Sequence, residues 1–397
     1  MVTVRSVLSI AAARSWHIHQ MDVYNAFLQG DLTDEIYMTL PQGFQSQGEN
    51  KVCRLIKSLY GLKQAPRQWN AKLTEALLRF QFVQSKYDHS LFSKKTDRGT
   101  TVVLIYVDDM LITGDNLELI QDTKTALQNA FKIKDLGELK YFLGIEFARS
   151  EKGILMHQRK YALELISELG LSAAKLIETP MDCNSKLTTK EYDEHLSTIS
   201  STKDEVISDI GSYQRLIGKL LYLTVTRPDI AYSVQNLSQF LQQPKRSHME
   251  AAHRIVKYVK NEPGLGVLLS NKPQDNITAF CDADWAACPQ TKRSVTGFLV
   301  KIGDLTVSWK SKKQTTISRS SAKSEYRSMA SAVAELTWIL GMLKEIGFKV
   351  QLPVTIYSDS KAAVQIAANP VFHERTKYIE IDCHFIREKI QQGLVKT

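Results

Sequence analysis

The sequence predicts an α+β chain: a mixed unit, a helical stretch, then a second unit of strands and helices. Three observations lead there. Apolar residues recur with strand and helix periods over residues 1–182. Residues 181–209 are rich in Ser, Thr, Lys, Asp and Glu and poor in large apolar side chains, the composition of a linker or long exposed loop. Helix-period segments follow, and a new αβ pattern runs from near residue 265 to the end. The expected division is therefore 1–182, 183–264 and 265–397. With 397 residues, 43% of them hydrophobic and 23% charged, the chain can bury a substantial core.

In the first unit the pattern predicts a helix over 4–16, a strand over 17–23 and a helix over 69–82. Two apolar runs, 102–107 and 110–113, read as a buried hairpin. A helix over 117–131, an extended segment over 139–148, a strand over 154–157 and a helix over 160–169 complete it. Helices over 211–224, 229–241 and 247–260 come next, punctuated by Pro228 and Pro244. In the last unit, alternation over 276–285 puts Thr278, Phe280, Asp282 and Asp284 on one face and Ile277, Ala279, Cys281 and Ala283 on the other. The helix over 320–348 carries a buried stripe of Met329, Val333, Leu336, Leu340 and Leu343. A strand over 354–360 enters a helix over 361–368, and 373–391 is helical.

Net charge is +9, and its distribution says more than its total. Residues 51–95 hold ten Lys or Arg against Glu75 and Asp88, and residues 292–327 hold nine against Asp304 and Glu325. Such regions suit a polyanion, although the solvated surface of a basic protein looks the same. No stretch reaches the ~18 apolar residues of a membrane span, and Met1-Val2-Thr3-Val4-Arg5 does not open a secretory signal. The cysteines, Cys53, Cys183, Cys281, Cys288 and Cys383, are scattered and form no C-x-x-C pair. A reducing intracellular compartment, cytoplasmic or nuclear, is expected.

Adjacent carboxylates, Asp108 and Asp109, sit at the tip of the predicted hairpin within Tyr106-Val107-Asp108-Asp109. Ionised Asp in such a place calls for a cation. Asp22, near the end of the 17–23 strand, adds a third carboxylate at one sheet edge, the ligand set of a two-metal phosphoryl-transfer site. Asp22 and Asp108 bridging two Mg²⁺ is the economical arrangement, since each ion takes only one or two protein carboxylates.

A second acidic set is Asp282, Glu325 and Asp359, separated by 43 and then 34 residues. Glu325 lies one turn before Met329 on the apolar stripe, so it points toward the sheet. Asp359 closes a strand at its carboxyl end, where ligand sites collect. Glu380, Asp382 and His384 fall on the 373–391 helix and read as a solvated face.

Three words occur in order: Gln20-Met21-Asp22-Val23-Tyr24-Asn25-Ala26-Phe27-Leu28-Gln29-Gly30, Ser58-Leu59-Tyr60-Gly61-Leu62-Lys63-Gln64-Ala65-Pro66 and Tyr106-Val107-Asp108-Asp109. With them the chain resembles, over essentially its whole length, the reverse transcriptase and RNase H portion of a copia-type LTR retrotransposon Pol polyprotein. Asp282-Ala283-Asp284-Trp285, Ser320-Ser321-Ala322-Lys323-Ser324-Glu325-Tyr326 and His373-Glu374-Arg375-Thr376-Lys377 resemble the same family.

The resemblance implies a reverse transcriptase palm and thumb-like region, a helical connection and an RNase H-like α/β domain. It implies RNA-directed DNA polymerase and RNase H activities, with Asp22, Asp108, Asp109, Asp282, Glu325 and Asp359 as catalytic metal ligands. Each site would take two Mg²⁺, or Mn²⁺, and the partners would be RNA template, DNA primer, RNA–DNA hybrid and dNTPs, with no membrane. Phe27 resembles the aromatic gate against a ribose 2′-hydroxyl; without the resemblance it reads as core. Gly61 and Pro66 resemble the template-positioning segment, otherwise a simple turn. Leu143, Gly144 and Ile145 resemble the hairpin that grips the primer, otherwise a bulge.

The chain departs from the family pattern in places. The family's basic fingers segment is largely missing before Asp22, and the final RNase H helix, with its fourth acid, would lie beyond Thr397. An impaired enzyme is the expectation, with a non-catalytic nucleic-acid-binding remnant of a decayed element as the alternative. Tyr378 stands where the family often has His, and Asn261-Glu262-Pro263 replaces a more usual Gly-Thr-Pro.

Overall fold

The computed structural model describes residues 1–44, 51–182, 186–196, 204–272, 275–368 and 380–397. The expectations attached to Cys183, His373 to Lys377 and Tyr378 lie outside the described residues. The chain is a mixed α+β structure that forms two compact units, Arg14–Leu143 and Met1–Ala13 with Gly144–Thr397.

In the unit Arg14–Leu143, six strands form one sheet in the order Val83–Gln84, Leu91–Thr96, Gly99–Tyr106, Asp109–Gly114, His17–Val23 and Ile133–Glu138. The helices Ala65–Arg79 and Leu117–Ala130 bring Trp69, Leu73, Leu77, Ile120 and Leu127 onto the buried Met21, Val103, Ile105, Met110 and Ile112. The Asn116 side chain accepts from the backbone N–H groups of Glu118 and Leu119, which starts the second helix sharply.

Two features of this unit escape the sequence pattern. Asp31–Thr39 and Val52–Lys57 form a separate two-stranded ribbon with no buried residue, so neither strand shows an apolar face. Ile133–Glu138 is an edge strand in which Lys134, Asp135, Gly137 and Glu138 surround an exposed Leu136, and among the described residues it pairs with His17–Val23 alone.

In the other unit, Leu305–Lys313, Val295–Ile302, Ile277–Asp284, Val354–Tyr357 and Val395–Lys396 form a five-stranded sheet in that order. Ile277–Asp284 pairs antiparallel with Val295–Ile302 and parallel with Val354–Tyr357. The expected alternation holds: Ile277, Ala279, Cys281 and Ala283 are buried, while Phe280, Asp282 and Asp284 are exposed. The 26-residue helix Ser321–Ile346 packs on this sheet. It buries Met329, Val333, Leu336 and Leu343 of the expected stripe; Leu340 is only half-buried, and Ile339 takes the inward position.

The strand Val267–Ser270, at the start of the last αβ pattern, pairs with Gly153–His157 in a different sheet. Gly153–His157 in turn pairs with Ile145–Ser150. The helices Ile210–Leu223 and Arg246–Val259 match expectation, whereas 229–241 splits into the 3-10 turn Pro228–Ile230, the helix Ala231–Leu237 and the 3-10 turn Ser238–Phe240. With Arg159–Glu168 these helices enclose a core of Leu165, Ile166, Tyr213, Ile217, Leu220, Val234, Ile255 and Val256.

The polar segment expected as a loop contains the helix Lys190–Leu196 and is anchored by charge as well as by Leu187, which is buried in the helical core. Lys245, only 2% exposed, places its ammonium against the carboxylates of Asp193 and Asp204 and donates to Thr188 Oγ1 at 3.3 Å. A buried cation held this way is costly to strip of its partners. The N-terminal helix Val2–Ala13 is fixed similarly: buried Arg5 donates to the Val307 carbonyl at 2.7 Å and the Val225 carbonyl at 2.9 Å, and lies 3.8 Å over the Trp309 ring. Among the described residues no helix is long and apolar enough to cross a membrane.

Candidate active sites

Asp282, Glu325 and Asp359 offer carboxylate oxygens that all lie within 4.8 Å of one another, and no other such group of three occurs among the described residues. Strand register accounts for two of them. Parallel pairing sets Phe280 beside Tyr357, so two residues further on Asp282 and Asp359 leave neighbouring strands on the same face. The rings of Phe280 and Tyr357 stack at 5.1 Å on that face. Asp282 and Asp359 are exposed, and Phe280 is exposed too, so this face of the sheet is open.

Glu325 arrives from the helix Ser321–Ile346. One turn later, Ser328 Oγ donates to the Asp282 carbonyl at 2.6 Å and the Gly297 carbonyl at 2.9 Å, tying the helix to two strands. That tie fixes the height of Glu325 relative to Asp282. Glu325 is 8% exposed, and its Oε2 is buried without a hydrogen-bond partner. Burial first, then the charges of Asp282 and Asp359, push its carboxyl up to about 7, against the pull of the Ala283 backbone N–H. An orphaned, buried acid oxygen facing two further carboxylates is the donor set that hard divalent cations take. The residues therefore fit Mg²⁺ or Mn²⁺.

The second acidic cluster lies in the unit Arg14–Leu143. The hairpin of Gly99–Tyr106 and Asp109–Gly114 closes with Tyr106 paired to Asp109, leaving Val107 and Asp108 as a two-residue turn. Val107 has φ 58°, a left-handed conformation that a β-branched residue rarely adopts. The ladder sets Asp109, rather than Asp108, directly opposite Asp22, and the Val23 N–H donates to the Asp108 carbonyl at 2.9 Å. Burial, then the charges of Asp108 and Asp22, hold the Asp109 carboxyl above its ordinary range, opposed by a hydrogen bond from Gln20. The three acids thus share one end of the sheet, without the 4.8 Å spacing of the other triplet.

Phe27, half-buried on the helix Ala26–Gln29, lies with its ring 4.9 Å from that of Tyr60. Gly61 has φ +92° and nothing within 4 Å of a Cβ placed there, so conformation rather than crowding requires glycine. Pro66 occupies the first turn of Ala65–Arg79, where its missing N–H costs nothing. The segment expected to be extended over 139–148 is broken at Leu143, φ 53°, and Gly144, φ 73°, which form a turn before the strand Ile145–Ser150. A Cβ on Gly144 would come within 1.9 Å of the Tyr222 hydroxyl, so a larger residue there would also have to displace that side chain.

Glu380, Asp382 and His384 begin the helix Glu380–Gln391 and do not join the acid triplet. Asp382 is half-buried, and burial raises its carboxyl despite Arg327 nearby. Sequence reasoning misses Ser328, Gln20 and Trp69. Two of them act on backbone carbonyls, which leave no mark in residue type.

Residues 1–183 match the family described as reverse transcriptase (RNA-dependent DNA polymerase). The whole chain is 43% identical over 396 residues to the Retrovirus-related Pol polyprotein from transposon RE1 of Arabidopsis thaliana, covering 26% of that protein. It is 34% identical over 404 residues to the corresponding polyprotein from transposon TNT 1-94 of Nicotiana tabacum, again over the full chain and 30% of the relative. The chain belongs to the reverse transcriptase family of copia-type transposon Pol polyproteins. It spans between a quarter and a third of the length of these relatives.

Proposed function

We propose that the chain carries two phosphoryl-transfer centres: an RNA-directed DNA polymerase built on Asp22, Asp108 and Asp109, and a ribonuclease H built on Asp282, Glu325 and Asp359. In this reading residues 1–182 supply the palm and thumb-like region, 183–264 the helical connection and 265–397 the hybrid-cleaving domain. The observation that carries it is the gathering of Asp282, Glu325 and Asp359 within 4.8 Å around an unpartnered buried carboxylate oxygen. Family membership supports the polymerase half.

Two Mg²⁺ or Mn²⁺ at each centre would activate an attacking oxygen and neutralise charge on the transferring phosphoryl group. The protein's own part is positional. Glu325, fixed by Ser328, and Asp282 and Asp359, set by parallel register, would hold the cations against the RNA strand of a hybrid. Asp22 and Asp109, opposed across the ladder, would do the same at the primer terminus, with Phe27 bordering the incoming dNTP. The described cysteines, Cys53, Cys281, Cys288 and Cys383, are free thiols, which suits an intracellular site of action.

The test is primer extension on an RNA template and cleavage of an RNA–DNA hybrid by the same preparation, with Mg²⁺ and with EDTA. Metal-dependent extension and cleavage support the proposal. Hybrid binding without either reaction supports the non-catalytic remnant instead.

A further inference from the structure

We propose that Trp69 is a positioning residue for polymerisation, its indole N–H fixing the Val107 turn and through it the carboxylates of Asp108 and Asp109. The inference rests on the polymerase reading above. Trp69 Nε1 donates to the Val107 carbonyl at 2.7 Å, and the ring is only 2% exposed. This bond meets a turn that needs support: Val107 holds φ 58° while Tyr106 and Val107 are exposed, so little packing from outside holds the tip.

The donor is rigid. The ring meets Phe131 edge-on at 5.3 Å, and Leu73 and Leu77 of the same helix are fully buried. At Gly30 a Cβ would come within 3.1 Å of the Trp69 backbone nitrogen, so the helix is seated against chain with no slack. The Val107 carbonyl must therefore come to the indole, because a buried N–H left without an acceptor is unfavourable.

The second carbonyl of the turn is tied as well, since Asp108 O accepts from the Val23 N–H next to Asp22. The carbonyls of both turn residues are thus pinned, one by Trp69 and one by the strand that bears Asp22. Freed from the indole, the Val107–Asp108 peptide can rotate, and the acids that flank it lose their aim. Catalytic geometry is sensitive to such small displacements.

The experiment compares the full chain with Trp69→Phe and with 3-benzothienylalanine at position 69, which keeps the bicyclic ring and replaces N–H by sulfur. Primer extension gives kcat and KM for dNTP, and hybrid cleavage on the same preparations gives an internal control. The expected result is a kcat for extension lowered about tenfold, as loss of one hydrogen bond in a transition-state-positioning network would give, with KM for dNTP and hybrid cleavage unchanged. Wild-type extension by either folded variant overturns the proposal. So does an equal fall in both activities by the benzothienyl variant, which would mark a structural role. Absence of extension by the unmodified chain, with hybrid binding intact, would instead remove the polymerase reading itself and the proposal with it.

Discussion

Replacing Glu325 by Gln removes a carboxylate from the tightest acidic cluster among the described residues, and the effect on folding depends on pH and metal. In the folded, metal-free protein the Glu325 carboxyl is raised from 4.5 to about 7 by burial and by Asp282 and Asp359. The folded chain therefore holds a proton that the unfolded chain has already released, so stability falls as pH rises through that window and the penalty is complete above it. At about 1.4 kcal/mol per pH unit, the shift corresponds to roughly 3 kcal/mol, an upper bound because Asp282 and Asp359 are hydrated. Glu325→Gln should then stabilise the metal-free protein by about 2 kcal/mol at pH 8 and leave it nearly unchanged at pH 4.5. Mg²⁺ or Mn²⁺ should reverse the order, because only the wild-type site gains a cation bound to the folded state. Urea denaturation read by hydrogen exchange across the helix Ser321–Ile346 measures this where the charge sits. Equal stabilisation at both pH values, or none at pH 8 in EDTA, would refute the electrostatic argument.

Two further outcomes are expected. Lys245→Ala leaves Asp193 and Asp204 without their cation; a loss of about 2 to 3 kcal/mol, read by urea denaturation, should come with faster exchange over Lys190–Leu196, and unchanged exchange there would contradict the anchoring role. Because the Phe27 ring rests against that of Tyr60, Tyr60→Ala should lower discrimination between dNTP and rNTP about tenfold in primer extension, while Tyr60→Phe keeps it; a change with Tyr60→Phe alone would mean that the hydroxyl, rather than the ring, matters.

The sequence reveals elements wherever one face is apolar. The strand Ile277–Asp284 and the helix Ser321–Ile346 announce themselves through period, and so does the inward aim of Glu325. The ribbon of Asp31–Thr39 and Val52–Lys57 stays hidden because neither strand buries anything. The polar segment before residue 209 reads as loop because it buries little besides Leu187 and its charged anchor is a lysine from elsewhere in the chain, and composition carries no record of a distant partner. At the candidate sites the residue types are legible and the partnerships are not. That Asp109 rather than Asp108 opposes Asp22 depends on the register of His17–Val23 against Asp109–Gly114, and that Asp359 reaches Asp282 depends on parallel pairing.

Two separate acidic centres performing two separate reactions is the core of the account, and paired substitution tests it most directly. Primer extension and hybrid cleavage are measured on Asp109→Asn and on Asp282→Asn with Mg²⁺ present. Asp109→Asn should lose extension and keep cleavage, and Asp282→Asn should lose cleavage and keep extension. Loss of both reactions in either folded variant, or of neither, would contradict it.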